Sequence, residues 1–193
     1  MDGLILTHGA GSNAEAPLLK AVDTAFTAAG FTVERVTLAF RQKRPKGSPH
    51  PSDSAADREG LRSAVDAMRK RVDGRVFLGG HSYGGRQASM LAAEDPSVAD
   101  ALMLLAYPLH PPDKPQQLRV AHFPALRTPS LFVSGASDPF ATEEELRTAI
   151  KAIPGPVEVL IFPRVGHDLK YGSGNVPQLI LAKFTESLAA WAR

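Results

Sequence analysis

The residues best suited to chemistry in this chain are a serine, an aspartate and a histidine far apart in sequence: Ser82, Asp138 and His167. A serine hydroxyl is a poor nucleophile at neutral pH and needs an adjacent base, itself oriented by a carboxylate. Ser82 stands in Gly80-His81-Ser82-Tyr83-Gly84, between the apolar run RVFL and the helix-like GGRQASMLAAE. A G-x-S-x-G set in strand, sharp turn and helix forces the serine into a strained backbone and projects its hydroxyl from a sheet edge. The flanking glycines relieve the crowding this creates. Asp138 follows the apolar run of PSLFVSGASDPF, and His167 follows that of VEVLIFPRVGHDL. The chain order serine, acid, histidine, each after a strand, is the one this geometry requires.

A second glycine-rich stretch, LILTHGAGSNA at 4–14, also invites close approach to its backbone. Gly9, Gly11 and Ala14 fit G-x-G-x-x-G/A, and Arg41 ends the next strand where a 2′-phosphate partner could stand. No ribose-binding acid accompanies them, and no Gly-Lys-Ser/Thr makes a phosphate loop. The serine constellation gives the stretch another use. In acyl transfer the carbonyl oxygen becomes an oxyanion and needs backbone N–H donors aimed at it. Tyr83, the residue after the serine, supplies one. The loop His8-Gly9-Ala10-Gly11 supplies the other, assigned to Ala10 with Gly9 and Gly11 as alternatives and as substrate contacts.

The remaining candidates carry less. Asp168 reads as a turn or capping acid, and Asp113 lacks a strand of its own. His81 lies inside the elbow and is expected beneath Ser82. His50, His110 and His122 read as solvated loop residues. No histidine spacing matches a zinc site, so no metal is expected. Serine-based acyl transfer needs no cofactor, and none is expected.

Elements must bring these residues together. Strands are predicted at 4–7, 32–40, 76–78, 101–106, 130–134 and 157–162, with helices near 14–29, 54–72, 84–94, 142–152 and 176–192. Several strands are apolar on both faces, as a sheet covered on both sides requires. The alternation predicts an α/β fold with about six mostly parallel strands flanked by helices. Ile180, Phe184, Leu188 and Trp191 form one apolar stripe, so Trp191 reads as packing. At 193 residues, with 44% hydrophobic and 22% charged, the chain reads as one globular domain over 1–193. A net charge of +2 gives no sign of a nucleic-acid partner, and the absence of cysteine excludes disulfides and thiol nucleophiles. The N-terminus has no basic n-region and no apolar run approaches a bilayer span, so a soluble, cytoplasmic protein is expected.

Two stretches break the alternation, both at the sheet edge where ligands bind in open α/β sheets. The basic loop 41–53 either favours anionic substrates through Arg41–Lys46 or is simply solvated. The proline-rich stretch 107–129 is long enough for a rim but not for a lid domain. Tyr107 and Phe140 either line the site or pack in the core.

Over essentially its whole length the chain resembles the alpha/beta hydrolase superfamily. It is most similar to small lidless hydrolases related to dienelactone hydrolases. The pieces that carry this are THGAGSN, GGHSYGGRQAS, AYPLHPPDKP, LFVSGASDPF and VGHDL. The resemblance implies Ser82, Asp138 and His167 as a triad, and it likens Arg86 to an arginine typical of that branch, read as a structural partner ahead of a substrate clamp. The two leading strands of the usual eight-stranded sheet are missing, and Ser82 replaces the cysteine of true dienelactone hydrolases. The expected activity is hydrolysis of a carboxylic ester, with a small acyl compound as partner. The alternatives are a non-catalytic binding or scaffold protein on this fold, or a lyase, acyltransferase or perhydrolase. Oligomeric state is left open.

Overall fold

The computed structural model describes residues 1–170 and 175–192. Six strands, β1 (Gly3–Thr7), β2 (Thr32–Val36), β3 (Val76–His81), β4 (Ala101–Leu105), β5 (Ser130–Gly135) and β6 (Val157–Phe162), form one sheet in the order β2-β1-β3-β4-β5-β6. Every pairing is parallel. All carboxyl ends therefore leave by the same edge, which collects the loops that carry Gly9, Ser82, Asp138 and His167.

Alternation along the strands divides the core. Leu4, Leu6, Phe77, Met103 and Leu131 face α1 (Pro17–Ala28) and α6 (Val176–Trp191), where Phe26 and Phe184 complete a buried cluster. Phe77 and Phe184 meet edge-on at 5.2 Å between ring centroids. Trp191 is half-buried at the margin of this cluster. Ile5, Leu78, Leu102 and Phe132 point the other way, onto α3 (Ser54–Arg69) and α4 (Tyr83–Glu94). Each fully buried Leu or Phe contributes about 1.5–3 kcal/mol, so the two apolar layers clamp the sheet. The α5 helix (Glu143–Ala149) adds Leu146 to the second layer and opens with a capping box between Thr142 and Glu145.

β2 is shorter than its β-branched sequence predicts. Its pairing ends at Thr7↔Val36, where β1 itself ends. With no neighbour beyond, the chain turns into α2 (Ala39–Lys43), placing Leu38 and Phe40 in the core. Buried side chains hold the turn: the Leu38 amide donates to His8 Nε2 at 3.0 Å, and the Phe40 amide to Asp57 Oδ1 at 2.9 Å. The stretch 107–129 carries only a single short 3-10 turn at Phe123–Ala125, and no lid domain is evident among the described residues.

Two histidines expected in solvent are enclosed. His110 is buried, with Nδ1 2.8 Å from the Pro111 carbonyl. His122 is half-buried, its Nε2 2.8 Å from Ser89 Oγ, because the proline-rich stretch folds down onto α4. Burial, with the charges of Arg86 and Arg58, pushes His122 down to about 4, and burial likewise lowers His8. Both are neutral when folded and take up protons once unfolded, so their stabilising contribution is present above the unfolded value near 6.5 and is lost as pH falls toward the folded value. The melting temperature is expected to decline from pH 6.5 to about 5.5, above the carboxylate range, and the decline should be shallower in His122→Asn. A flat profile across that interval would contradict this.

Candidate active site

Ser82 occupies the turn between β3 and α4 with φ 52° and ψ −118°, a backbone state that costs a non-glycine residue about 1–3 kcal/mol. Its amide donates to the Leu105 carbonyl at 2.8 Å, and its carbonyl accepts from the Arg86 amide at 3.0 Å. The turn is feasible only with glycine on both sides. A Cβ on Gly80 would stand 2.5 Å from the Gly84 carbonyl carbon, and one on Gly84 would stand 2.5 Å from the His8 carbonyl oxygen.

The loops after β5 and β6 are fastened to one another. The Ser137 amide donates to the Val165 carbonyl at 2.9 Å, and the Ala136 amide to Phe162 at 2.9 Å. This brings Asp138, 3% exposed, beside His167. His167 Nδ1 donates to Asp138 Oδ2 at 2.8 Å, and Ser82 Oγ donates to His167 Nε2 at 2.8 Å. The other Asp138 oxygen accepts the Phe140 amide at 2.8 Å. Phe140 lies against the imidazole, with centroids 4.2 Å apart. His81 Nε2 donates to the His167 carbonyl at 2.8 Å, so His81 holds the histidine loop, and burial lowers its basicity. Asp168 accepts its own turn's Lys170 amide at 3.1 Å and pairs with the Lys170 ammonium at 3.4 Å, while Asp138 is the carboxylate on the His167 ring.

The loop after β1 is restrained from behind. His8 Nδ1 donates to the Gly9 carbonyl at 2.8 Å, and the Ser12 amide donates to the same oxygen at 3.2 Å. Arg41 Nη2 donates to the Ala10 carbonyl at 2.5 Å and Arg41 Nε to the Ser12 carbonyl at 3.0 Å. In a trans peptide the N–H points opposite to the C=O, so anchoring the Gly9 carbonyl behind turns the Ala10 amide the other way. The amides of Ala10 and Tyr83 have no partner among the described residues.

These groups share a cleft of about 870 Å³, lined by Gly9, Ala10 and Gly11 together with Ser82, Phe140 and His167. Tyr107 does not reach it. At 1% exposure it packs on Phe123 and Phe132, and its hydroxyl donates to the Arg119 carbonyl at 2.7 Å. The basic loop reaches it through Ser48, Pro49, His50 and Pro51, but its cations do not line it. Arg41 is 7% exposed and bound to loop carbonyls, and Arg44 pairs with Asp53. Arg41 is thereby unavailable to a nucleotide phosphate. Arg86, expected as a structural partner, forms no ion pair among the described residues and lines the cleft instead.

Sequence reasoning missed the holding roles of His8 and Arg41, the latter read as a phosphate partner or a solvated cation, and missed Asp57 altogether. The buried Asp57 carboxylate accepts the Tyr83 hydroxyl at 2.8 Å, which, with burial, raises the phenol well above its ordinary value. A histidine directly before G-x-G and an arginine closing the next strand were the available signals for the first two. Among the described residues no three histidine or acidic side chains converge to hold a metal ion, and no helix is long and apolar enough to cross a membrane.

Comparisons with known proteins agree with this architecture. Dienelactone hydrolase from Anabaena variabilis is 20% identical, with a TM-score of 0.75 over 98% of this chain and 86% of that one. Est1E from Butyrivibrio proteoclasticus is 16% identical, with a TM-score of 0.76 over 97% and 88%. An alpha-beta serine hydrolase homologue from Coxiella burnetii is 16% identical, with a TM-score of 0.74 over 95% and 84%. A family model described as an alpha/beta hydrolase domain matches residues 1–192, and the chain belongs to that family.

Proposed function

We propose that this chain works as one domain, a serine hydrolase of carboxylic esters that acts through an acyl-enzyme. The observation that carries the reading is the unbroken hydrogen-bond chain Asp138–His167–Ser82, ending in a hydroxyl at an open cleft. His167 Nε2 takes the Ser82 proton as Oγ attacks the substrate carbonyl. Asp138 fixes the imidazole with its proton on Nδ1 and stabilises the imidazolium. The amides of Ala10 and Tyr83 receive the oxyanion, while Gly9, Gly11 and Phe140 bound the acyl group. Collapse of the tetrahedral intermediate breaks the ester C–O bond, and His167 returns the proton to the departing alcohol. Water, deprotonated by His167, then attacks the acyl-enzyme and frees the acid and Ser82.

A fluorophosphonate probe is expected to label the wild-type protein stoichiometrically at Ser82 and to leave Ser82→Ala unlabelled. In Asp138→Asn, kcat for a short 4-nitrophenyl ester is expected to fall about 10⁴-fold, the loss seen when a triad carboxylate no longer sets the tautomer. Folded wild-type protein that resists the probe would instead favour a binding protein on this fold.

Arg41 acts as a positioning residue in this scheme, because it anchors the Ala10 and Ser12 carbonyls and so holds the loop that carries the proposed Ala10 donor. Arg41→Met is expected to lower kcat about tenfold, less than the ~10²–10³ for losing an oxyanion donor outright, with KM nearly constant. Arg41→Lys, which retains a donor, should recover part of it. Equal changes in kcat for both variants, or a loss seen only in KM, would remove Arg41 from this role.

A further inference from the structure

The charge of the cleft is one-sided. Among the described residues, Arg86 and Arg119 are its only permanently charged lining residues, and no aspartate or glutamate lines it. Arg86 stands one helical turn beyond Ser82, and its buried Nε has no hydrogen-bond partner. Arg119 reaches the cleft from the proline-rich stretch with its backbone fixed: its amide donates to Leu109 at 2.7 Å and its carbonyl accepts from Tyr107. Its guanidinium has no partner among the described residues. Burial and the charge of Arg86 both lower Arg119 from its ordinary value.

Behind them lies a third donor. Gln87, 0% exposed, accepts the Ser54 hydroxyl at 2.8 Å through Oε1, which fixes the orientation of its amide. Its Nε2 is buried and unpaired. Buried donors without acceptors, and two like charges without an acid between them, are both unfavourable. An anion seated among them relieves both at once.

We propose that Arg86 and Arg119, backed by Gln87 Nε2, form an anion subsite that selects acyl substrates bearing a second, negatively charged group, carboxylate or phosphate, close to the ester. This deepens the hydrolase reading and rests on it. Ser82 and Arg86 stand four residues apart at the start of α4 and line the same cleft, so diacids with a short spacer, such as succinate or glutarate, are the first to test.

Binding and turnover are tested separately. Calorimetry on Ser82→Ala with monomethyl glutarate and neutral dimethyl glutarate is expected to show at least about tenfold tighter binding of the monoanion, the range of one charge-assisted hydrogen bond. Arg86→Gln and, on the more open loop, Arg119→Gln should each remove most of that preference, and rising NaCl should weaken it. Competition with inorganic phosphate and with glutarate identifies the preferred anion by the better displacer. Equal affinity for the two esters, displacement by neither anion, or a preference that survives both substitutions would overturn the subsite. In wild type, turnover of the 4-nitrophenyl monoester of glutaric acid is expected to exceed that of 4-nitrophenyl butyrate in kcat/KM. Binding preference without turnover of either ester would sink the hydrolase reading and keep the subsite, whereas turnover without preference would do the reverse.

Discussion

The backbone of Ser82 is the constraint from which the rest of the site follows. A left-handed φ of 52° on a residue with a side chain is not self-supporting, because the local chain gains by relaxing it. It persists here because both ends of the turn are fixed by larger structures. β3 is an interior strand paired on both sides, and α4 lies close to the sheet through Gly84, Gly85, Ala88 and Ala92, all buried. Relaxing Ser82 would require moving one of these packed layers. Strain of a few kcal/mol is small against the apolar area such a movement would expose.

The three histidines that meet around the proposed catalytic groups divide into two held for structure and one, His167, at the cleft. His8 uses both ring nitrogens, donating to Gly9 and accepting from Leu38, and is fully buried. His81 uses Nε2 to hold the His167 carbonyl. Both are kept neutral by burial, so neither competes for the proton that the proposed mechanism passes through His167. Each also supports a reactive segment: His8 the loop after β1, His81 the loop after β6. The same residue type thus serves as a fixed strut in two places and as the proposed base in the third.

Much of this was legible in the sequence, and the reasons for what was not are specific. The strand count, the parallel sheet and the meeting of Ser82, Asp138 and His167 follow from local signals: apolar runs, a glycine-framed serine, and polar groups just past strand ends. Arg41 was misread because a cation in a proline-rich loop looks solvated until the fold brings the carbonyls of Ala10 and Ser12 to it. His110 and His122 were misread for the same reason, since a segment without period gives no sign of which face folds inward. The loop bearing His167 turns through Arg164 at φ 59° and Leu169 at φ 53° with no glycine at either position. Tertiary bonds to the Asp138 loop set that path, and nothing local could announce it.

Charge placement explains why substrate selection and bond-making can be separated in this cleft. Asp138 is enclosed behind His167, so its negative charge is met by the imidazole and does not cancel the guanidinium charges at the surface of the cleft. The proposed oxyanion donors are backbone amides, which respond only to charge that develops on the carbonyl. In the proposed subsite the guanidiniums act on a group that is fully charged before reaction begins and remains so throughout. A contact equally strong in the ground and transition states lowers KM and leaves kcat unchanged. The proposed anion subsite would therefore express its preference through KM, while the restraint of the Gly9–Ser12 loop by His8 and Arg41 would express itself through kcat. Two arginines with opposite kinetic signatures, Arg41 behind the loop and Arg86 beside the serine, are what this division of labour requires.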